Sequence, residues 1–243
     1  MKKYAVFYHI WTPKSGLGWS VLVDTQIKKL ISSRIMQNCE VYCCISGSQH
    51  KEVESLISHY KFITILESTP NESHYENLTL KHLYNSCRKE KENFEAVCYF
   101  HTKGVRHFVD NTNMKEVKAI NGWRLMLEYG VLERWTDCIQ ALQTHDVAGI
   151  NYHLWPRPHF QGNFWWATSR YISSLEAPDS RVFADETFCH PSALQRVSAE
   201  MWLGSKKPTW FSLYNFPFNT AEFQDTFDLY QNDIFPHYLN NSM

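Results

Sequence analysis

The run Ala96-Val97-Cys98-Tyr99-Phe100-His101-Thr102-Lys103-Gly104 decides how this chain is read. A short, mostly apolar segment stops abruptly at His-Thr-Lys-Gly. Buried strands of a parallel sheet look like this, without polar alternation, because both faces are covered. In open α/β sheets a ligand lies just beyond the carboxyl ends of the strands. A histidine, a hydroxyl, a lysine and a glycine at that place are therefore candidates to touch a substrate. The plainer alternative is an ordinary turn, with Gly104 at a positive φ and Lys103 solvated.

Upstream, strand and helix patterns alternate. Tyr4–Ile10 reads as a first strand, with His9 near its carboxyl end. Trp19–Met36 carries apolar residues at helical spacing (Val23, Ile27, Leu30 and Ile31). Glu40–Ile45 and Phe62–Leu66 read as strands, separated by a short helix over Glu52–Tyr60. A helix over about Leu78–Phe94 then leads into the strand that opened the reading. This alternation is the signature of βαβ units and a mostly parallel, Rossmann-like sheet flanked by helices.

Downstream the pattern loosens. Met114–Gln143 reads as one long helical stretch, with Gly122 and Gly130 as kinks or breaks. Val147–Ile150 and Phe164–Ala167 read as strands, with an irregular stretch between them. Helices are expected to begin at Tyr171 and to span Pro191–Leu203. Residues 205–243 are aromatic-rich and aperiodic, and read as a wrapping tail. No linker or repeat appears, so the expectation is one domain over 1–243: a nucleotide-binding half to about 110, an acceptor and catalytic half to about 204, and the tail.

Composition narrows the function. Lys plus Arg total 24 against 25 Asp plus Glu among 243 residues, which argues against nonspecific nucleic-acid binding. No apolar run is long enough to span a bilayer, so at most a peripheral membrane association is expected. The seven cysteines (Cys39, Cys43, Cys44, Cys87, Cys98, Cys138 and Cys189) are odd in number and contain no CxxC. They suit small buried hydrophobes of a reducing compartment, and a cytoplasmic location is expected. Neither GxGxxG nor GxxxxGK[ST] is present, so dinucleotide and P-loop readings lose their support. Histidine and acidic spacings give no metal motif.

Three further constellations can carry chemistry. Lys103 can neutralise a phosphate as a point charge, with Gly104 admitting a close backbone approach. Arg106 and His107 extend the positive character, and Arg124 of Trp123-Arg124 could offer a guanidinium fork. The segment His159-Phe160-Gln161-Gly162-Asn163-Phe164-Trp165-Trp166-Ala167 combines a bend, an amide and two indoles, the ingredients of a carbohydrate pocket. Strand alternation puts Trp165 and Trp166 on opposite faces, so at most one can line a site. Arg196 and Glu200 share a helix face near Trp202. Their plain reading is an exposed ion pair; the functional one is a carboxylate held as a general base. Asp185-Glu186 is the one adjacent acidic pair.

Together these residues resemble a group of small glycosyltransferases found in bacterial polysaccharide loci and large DNA viruses, including chlorella-virus rhamnosyltransferase domains. The blocks are Tyr75-Glu76 with Thr79-Leu80, Tyr99 to Gly104, Trp123-Arg124, His159 with Gly162 to Ala167, and Arg196 with Glu200 and Trp202-Leu203. The resemblance covers about residues 4 to 204. It implies a GT-A-like fold and transfer of a hexose or deoxyhexose from a nucleotide-sugar donor, UDP-linked by preference, to a glycan or lipid-linked acceptor, with inversion. It also implies roles. His9, Glu76, Thr79, His101, Lys103, Gly104 and Arg124 would bind the donor. His159, Gly162, Asn163, Trp165, Trp166, Arg196 and Trp202 would bind sugar or acceptor, and Glu200, Asp185 or Glu186 would be the base. GT-A enzymes usually place Asp-x-Asp at the fourth strand end to hold a metal; here His-Thr-Lys-Gly stands there. Lys103 is thus expected to replace the cation, leaving a divalent metal allowed but not required. The competing expectations are a non-catalytic carbohydrate-binding protein, or another nucleotide-dependent transferase.

Overall fold

The computed structural model describes residues 2–14, 18–73, 75–89, 94–106, 114–184 and 189–215. Their centre is a seven-stranded sheet in the order β3-β2-β1-β4-β8-β5-β9. The first four strands are β1 (Tyr4–Thr12), β2 (Cys39–Gly47), β3 (Ile63–Thr69) and β4 (Ala96–His101), all paired in parallel. The helices α1 (Gly18–Ser32), α2 (Ile35–Asn38), α3 (His50–Ile57) and α4 (Asn77–Arg88) connect them. This is the α/β architecture read from the alternating first half.

β8 (Trp165–Thr168) runs antiparallel to both its neighbours, β4 and β5 (Val147–Gly149). β9 (Trp210–Ser212) then pairs in parallel with β5 at the far edge. A two-stranded hairpin of β6 (Tyr152–His153) and β7 (His159–Phe160) lies between β5 and β8 in the chain. The sequence pattern anticipated neither this hairpin nor β9, which falls inside the segment expected to be an aperiodic tail.

Two more expectations are corrected. The helix expected over Leu78–Phe94 ends at Arg88, with Lys89 extended as its C-cap. The long stretch after residue 114 breaks around Gly130 as expected, but not at Gly122. It comprises α5 (Met114–Glu128), a π-helical turn at Tyr129–Glu133 and α6 (Trp135–Ala141). Gly122 lies inside α5 without breaking it. Gly130 sits in the π turn, where a Cβ would come within 2.4 Å of the Ile150 side chain. The chain continues through α7 (Ser169–Ser174) and α8 (Leu194–Trp202).

Alternation along the strands divides the core in two. Val6, Tyr8 and Ile10 of β1, Phe100 of β4 and Trp166 of β8 pack on one face with Leu22, Val23, Ile27 and Leu30 of α1. Ala5, Phe7, Val97, Tyr99 and Trp165 point to the other face, against Leu80 and Leu83 of α4 and Trp202 of α8. β1 and β4 are thus covered on both sides, which is why neither shows polar alternation. Side by side in register, they bring His9 opposite His101 at their carboxyl ends.

Candidate functional site

Where β1 and β4 end, a cavity of about 350 Å³ opens, at the small end of the range for small-molecule pockets. Its floor is His9 and Trp11 of β1 and the segment His101 to Arg106. Its walls are Glu72, Tyr75 and Glu76 ahead of α4, Ile120 and Trp123 of α5, and Arg196 of α8. Two larger clefts, of about 440 and 740 Å³, lie elsewhere. Neither gathers buried titratable groups as this one does, and so they are weaker candidates.

The floor is fixed by strand pairing carried past the end of β4. The Thr102 amide donates to the His9 carbonyl at 3.1 Å. The Thr102 hydroxyl accepts from the Trp11 amide at 3.0 Å and donates to the Trp11 carbonyl at 3.1 Å. The chain then turns through Gly104, whose φ is +79° and whose missing Cβ would lie 2.5 Å from Ile120 Cγ2. Both the left-handed backbone and the crowding require glycine.

Each histidine is held by a neighbour. His9 Nδ1 lies 2.8 Å from Thr79 Oγ1, and its Nε2 is 3.4 Å from Ser46 Oγ. His101 Nε2 donates to the Gly162 carbonyl at 3.1 Å, which assigns the proton to that nitrogen because a carbonyl only accepts. Burial pushes the pKa of His9 down to about 3, and the neighbouring His101 adds to the cost of protonating it. Burial does the same to His101, with Lys103 next in effect, again to about 3. Both rings are neutral at ordinary pH.

The lysine and the carboxylate face different conditions. Lys103 Nζ sits 4.0 Å from the centroid of the Trp123 ring, a cation–π geometry. Burial lowers its pKa, while the charges of Glu200 and Glu76 oppose that shift. Glu76 is 8% exposed, and its Oε2 accepts from Asn163 Nδ2 at 2.6 Å and from Tyr99 OH at 3.0 Å. Its Oε1 is 3.8 Å from His101 Nε2, beyond a hydrogen bond. Burial raises the Glu76 pKa, with Asn163, Lys103 and Tyr99 working against the rise.

The structure brings together many of the residues expected at the site. His9, Glu76, His101, Lys103, Gly104 and Arg196 line the cavity, and Thr79, Gly162 and Asn163 stand behind it as supports. Glu200, on α8, is half-buried and near enough for its charge to act on Lys103 and His101. Among the described residues it forms no ion pair with Arg196. Asp185, Glu186 and His107 lie outside the described residues.

Other expected residues sit elsewhere. Arg124 is not at the cavity: 5% exposed, it pairs with Glu128 at 2.6 Å and bonds Asn121. His159 is buried on β7 with Nδ1 2.7 Å from the Arg157 carbonyl. Trp165, Trp166 and Trp202 are fully buried in the two cores, so none offers a face to a sugar. Alternation correctly separated Trp165 from Trp166, but both faces of β8 are covered.

Trp11 and Glu72 were not anticipated. β1 runs to Thr12, two residues beyond the expected end, and that extension carries Trp11 to the cavity. Alternation from His9 was the available signal. Glu72 sits in an irregular loop, where no period marks a side chain's direction.

No group of three or more His, Cys, Asp and Glu capable of holding a metal occurs among the described residues. No described helix is long and apolar enough to cross a membrane.

No curated protein matches the chain. Among solved structures, it is similar to a Desulfovibrio desulfuricans G20 protein given the provisional name nucleotide-diphospho-sugar transferase. That likeness has 11% identity, a TM-score of 0.43 and 96% coverage of each chain. A second similar structure is S. aureus TarS 1–349, at 11% identity and TM-score 0.38, covering 94% of this chain and 72% of that one. Scores this low do not carry chemistry from one protein to another. Residues 7–209 match the family described as a domain of unknown function, DUF8361, and the chain belongs to that family.

Proposed function

We propose that this protein is a glycosyltransferase. It takes a hexose or deoxyhexose from a nucleotide-sugar donor, UDP-linked by preference, and passes it with inversion to a glycan or lipid-linked acceptor. The observation that carries the reading is one cavity at the carboxyl ends of β1 and β4 that collects Lys103, Arg106 and Arg196 around two neutral histidines. Three cations facing a buried floor suit a polyanion such as a diphosphate. The position matches the general rule for ligands in open α/β sheets.

In this reading Lys103 meets the donor diphosphate and stabilises the charge that develops on it as the sugar leaves. Burial makes its positive charge costly in the free protein, so an incoming anion relieves that cost. Neutral His9 and His101 shape the floor without adding charge, their ring nitrogens engaged by Thr79 and Ser46 and by the Gly162 carbonyl. Trp11, Tyr75 and Trp123 supply apolar surface for a ring. Divalent metal is then an aid rather than a requirement.

The test is thermal stability against UDP, GDP, dTDP and CMP, each with and without manganese. Ligand binding raises the melting temperature by mass action. The expected result is a rise with one nucleotide, present in EDTA and greatly reduced in Lys103→Ala. No response to any nucleotide would overturn the reading, and a response that depends wholly on manganese would overturn the role given to Lys103.

A further inference from the structure

We propose that Glu76 is the general base of this site, a deepening that rests on the glycosyltransferase reading above. The expected base was Glu200, with Asp185 or Glu186, both outside the described residues, as alternatives; Glu200 and Glu76 are placed differently. Glu200 is half-buried and does not line the cavity, whereas Glu76 does.

Glu76 is also fixed as a base must be. Its Oε2 is held from two directions, by Tyr99 OH at 3.0 Å and Asn163 Nδ2 at 2.6 Å. Asn163 is itself set by the Trp165 indole, whose Nε1 donates to Asn163 Oδ1 at 2.7 Å. That bond orients the amide so that its NH₂ group meets the carboxylate. Asn163 adopts a left-handed φ of 59°, next to Gly162 at +83°. The bend therefore serves the carboxylate rather than a sugar. Among the described residues Oε1 has no such clamp; it lies 3.8 Å from His101 Nε2.

The step balances simply. An acceptor hydroxyl attacks the anomeric carbon of the donor sugar and forms the new carbon–oxygen bond. Its proton passes to Glu76 Oε1, the bond from the anomeric carbon to the diphosphate oxygen breaks, and that electron pair leaves with the diphosphate beside Lys103. Other charged or titratable groups around Glu76 are Tyr99 and His101 on β4, Lys103 and Arg106 in the turn, Arg196 and Glu200 on α8, His9 on β1, and Glu72 and Tyr75 ahead of α4. Both histidines stay neutral through the working range, and the Tyr99 hydroxyl, which bonds Glu76, separates that carboxylate from Glu72 and Glu200 as the source of the acid limb.

The experiment uses the nucleotide that raises the melting temperature and reads diphosphate release from its hexose conjugates, with glycan acceptors and with water. Glu76→Gln keeps an oxygen for Tyr99 and Asn163 but cannot take the proton. It is expected to lower kcat by about 100-fold or more, the usual range for a lost general base, with folding and nucleotide-induced stabilisation retained. Tyr99→Phe removes one hydrogen bond to the carboxylate and so raises its pKa. It is expected to move the acid limb of the kcat profile to higher pH, which a bracing role alone would not do. Wild-type turnover in Glu76→Gln, or an unmoved acid limb in Tyr99→Phe, overturns the assignment while leaving the transferase standing. If no nucleotide binds, or one binds and no conjugate turns over, the transferase reading itself falls.

Discussion

His9 and His101 stand opposite each other on β1 and β4, and both are kept neutral down to a pH of about 3. In the unfolded chain each titrates near 6.5. Between those two values the unfolded state binds more protons, so stability rises with pH through that window. The contribution is complete above about pH 6.5 and is lost as the pH falls toward 3. Glu128, held below the usual carboxylate range by Arg124 and Lys29 against its burial, adds a loss of the same sign at lower pH. A variant comparison separates the two. His9→Gln, which cannot protonate, is expected to lose less melting temperature than wild type between pH 7 and pH 5. Thermal melts at half-unit steps would check this, and parallel curves would remove His9 from the acid response.

The segment that ends in His-Thr-Lys-Gly was legible because its chemistry is local: an apolar run, an abrupt polar stop and a glycine. The supports behind it were legible only in part: Thr79 and Gly162 stood among the expected residues through the resemblance, whereas Ser46 did not, and no local pattern tied any of the three to a histidine. Thr79, Ser46 and Gly162 reach the histidines from other elements, across sequence separations that no local pattern records. The indoles were misassigned for a related reason. A tryptophan in a strand announces a large apolar face, yet its sequence does not say whether a ligand or another layer of core covers it.

At the scale of elements, the parts joining α1 to α5 explain where Arg124 went. Gln26 of α1 donates to Glu128 at 2.7 Å and to the His101 carbonyl at 3.1 Å, so it ties α5 to the end of β4. Lys29 of α1 lies 3.2 Å from Glu128 and 2.8 Å from Glu133. With Arg124 included, two cations meet two carboxylates in a largely buried cluster. Removing Arg124 leaves two carboxylates facing one ammonium. Arg124→Met is therefore expected to destabilise the protein by about 3 kcal/mol, the scale of breaking a buried pair. Nucleotide-induced stabilisation should persist. Denaturant unfolding with and without the responsive nucleotide checks both halves; lost binding with unchanged stability would return Arg124 to the donor site.

Element length governed much of what could be read, although three-residue β5 was anticipated within Val147–Ile150. β1, β2 and β4 carry enough apolar residues for a pattern, and each is bounded by turn residues. β6, β7 and β9 have two or three residues each, and their strand character comes from partners: Tyr152 opposite Phe160, and Trp210 opposite Val147. Such pairing is invisible in a local window. The break at Gly130 was legible as a glycine, but its packing against Ile150 in the π turn at Tyr129–Glu133 is a tertiary contact.

Across the whole molecule, β8 is the strand that joins the two halves of the sheet. It lies between β4, the last strand of the parallel half, and β5, and it opposes both. Its two adjacent indoles enter opposite cores. Trp166 packs with α1 and the β1 residues Val6 and Tyr8, and its Nε1 donates to the Val131 carbonyl at 2.8 Å. Trp165 packs with Tyr99 and Trp202 on the other face. A single element therefore couples both layers and both halves, and we infer that the chain unfolds as one domain rather than as separable donor and acceptor halves. Trp165→Ala and Trp166→Ala are each expected to cost about 3–5 kcal/mol, as for other large-to-small core substitutions. Each should keep a single transition, with helix content and tertiary signal lost together. Far-UV and near-UV circular dichroism melts on the two variants would check this. If Trp166→Ala melted the α1 side first and left the other face intact, the cores would be independent and the one-domain reading would fail. Coincident curves in both variants would mean that β8 transmits the loss of either core to the other.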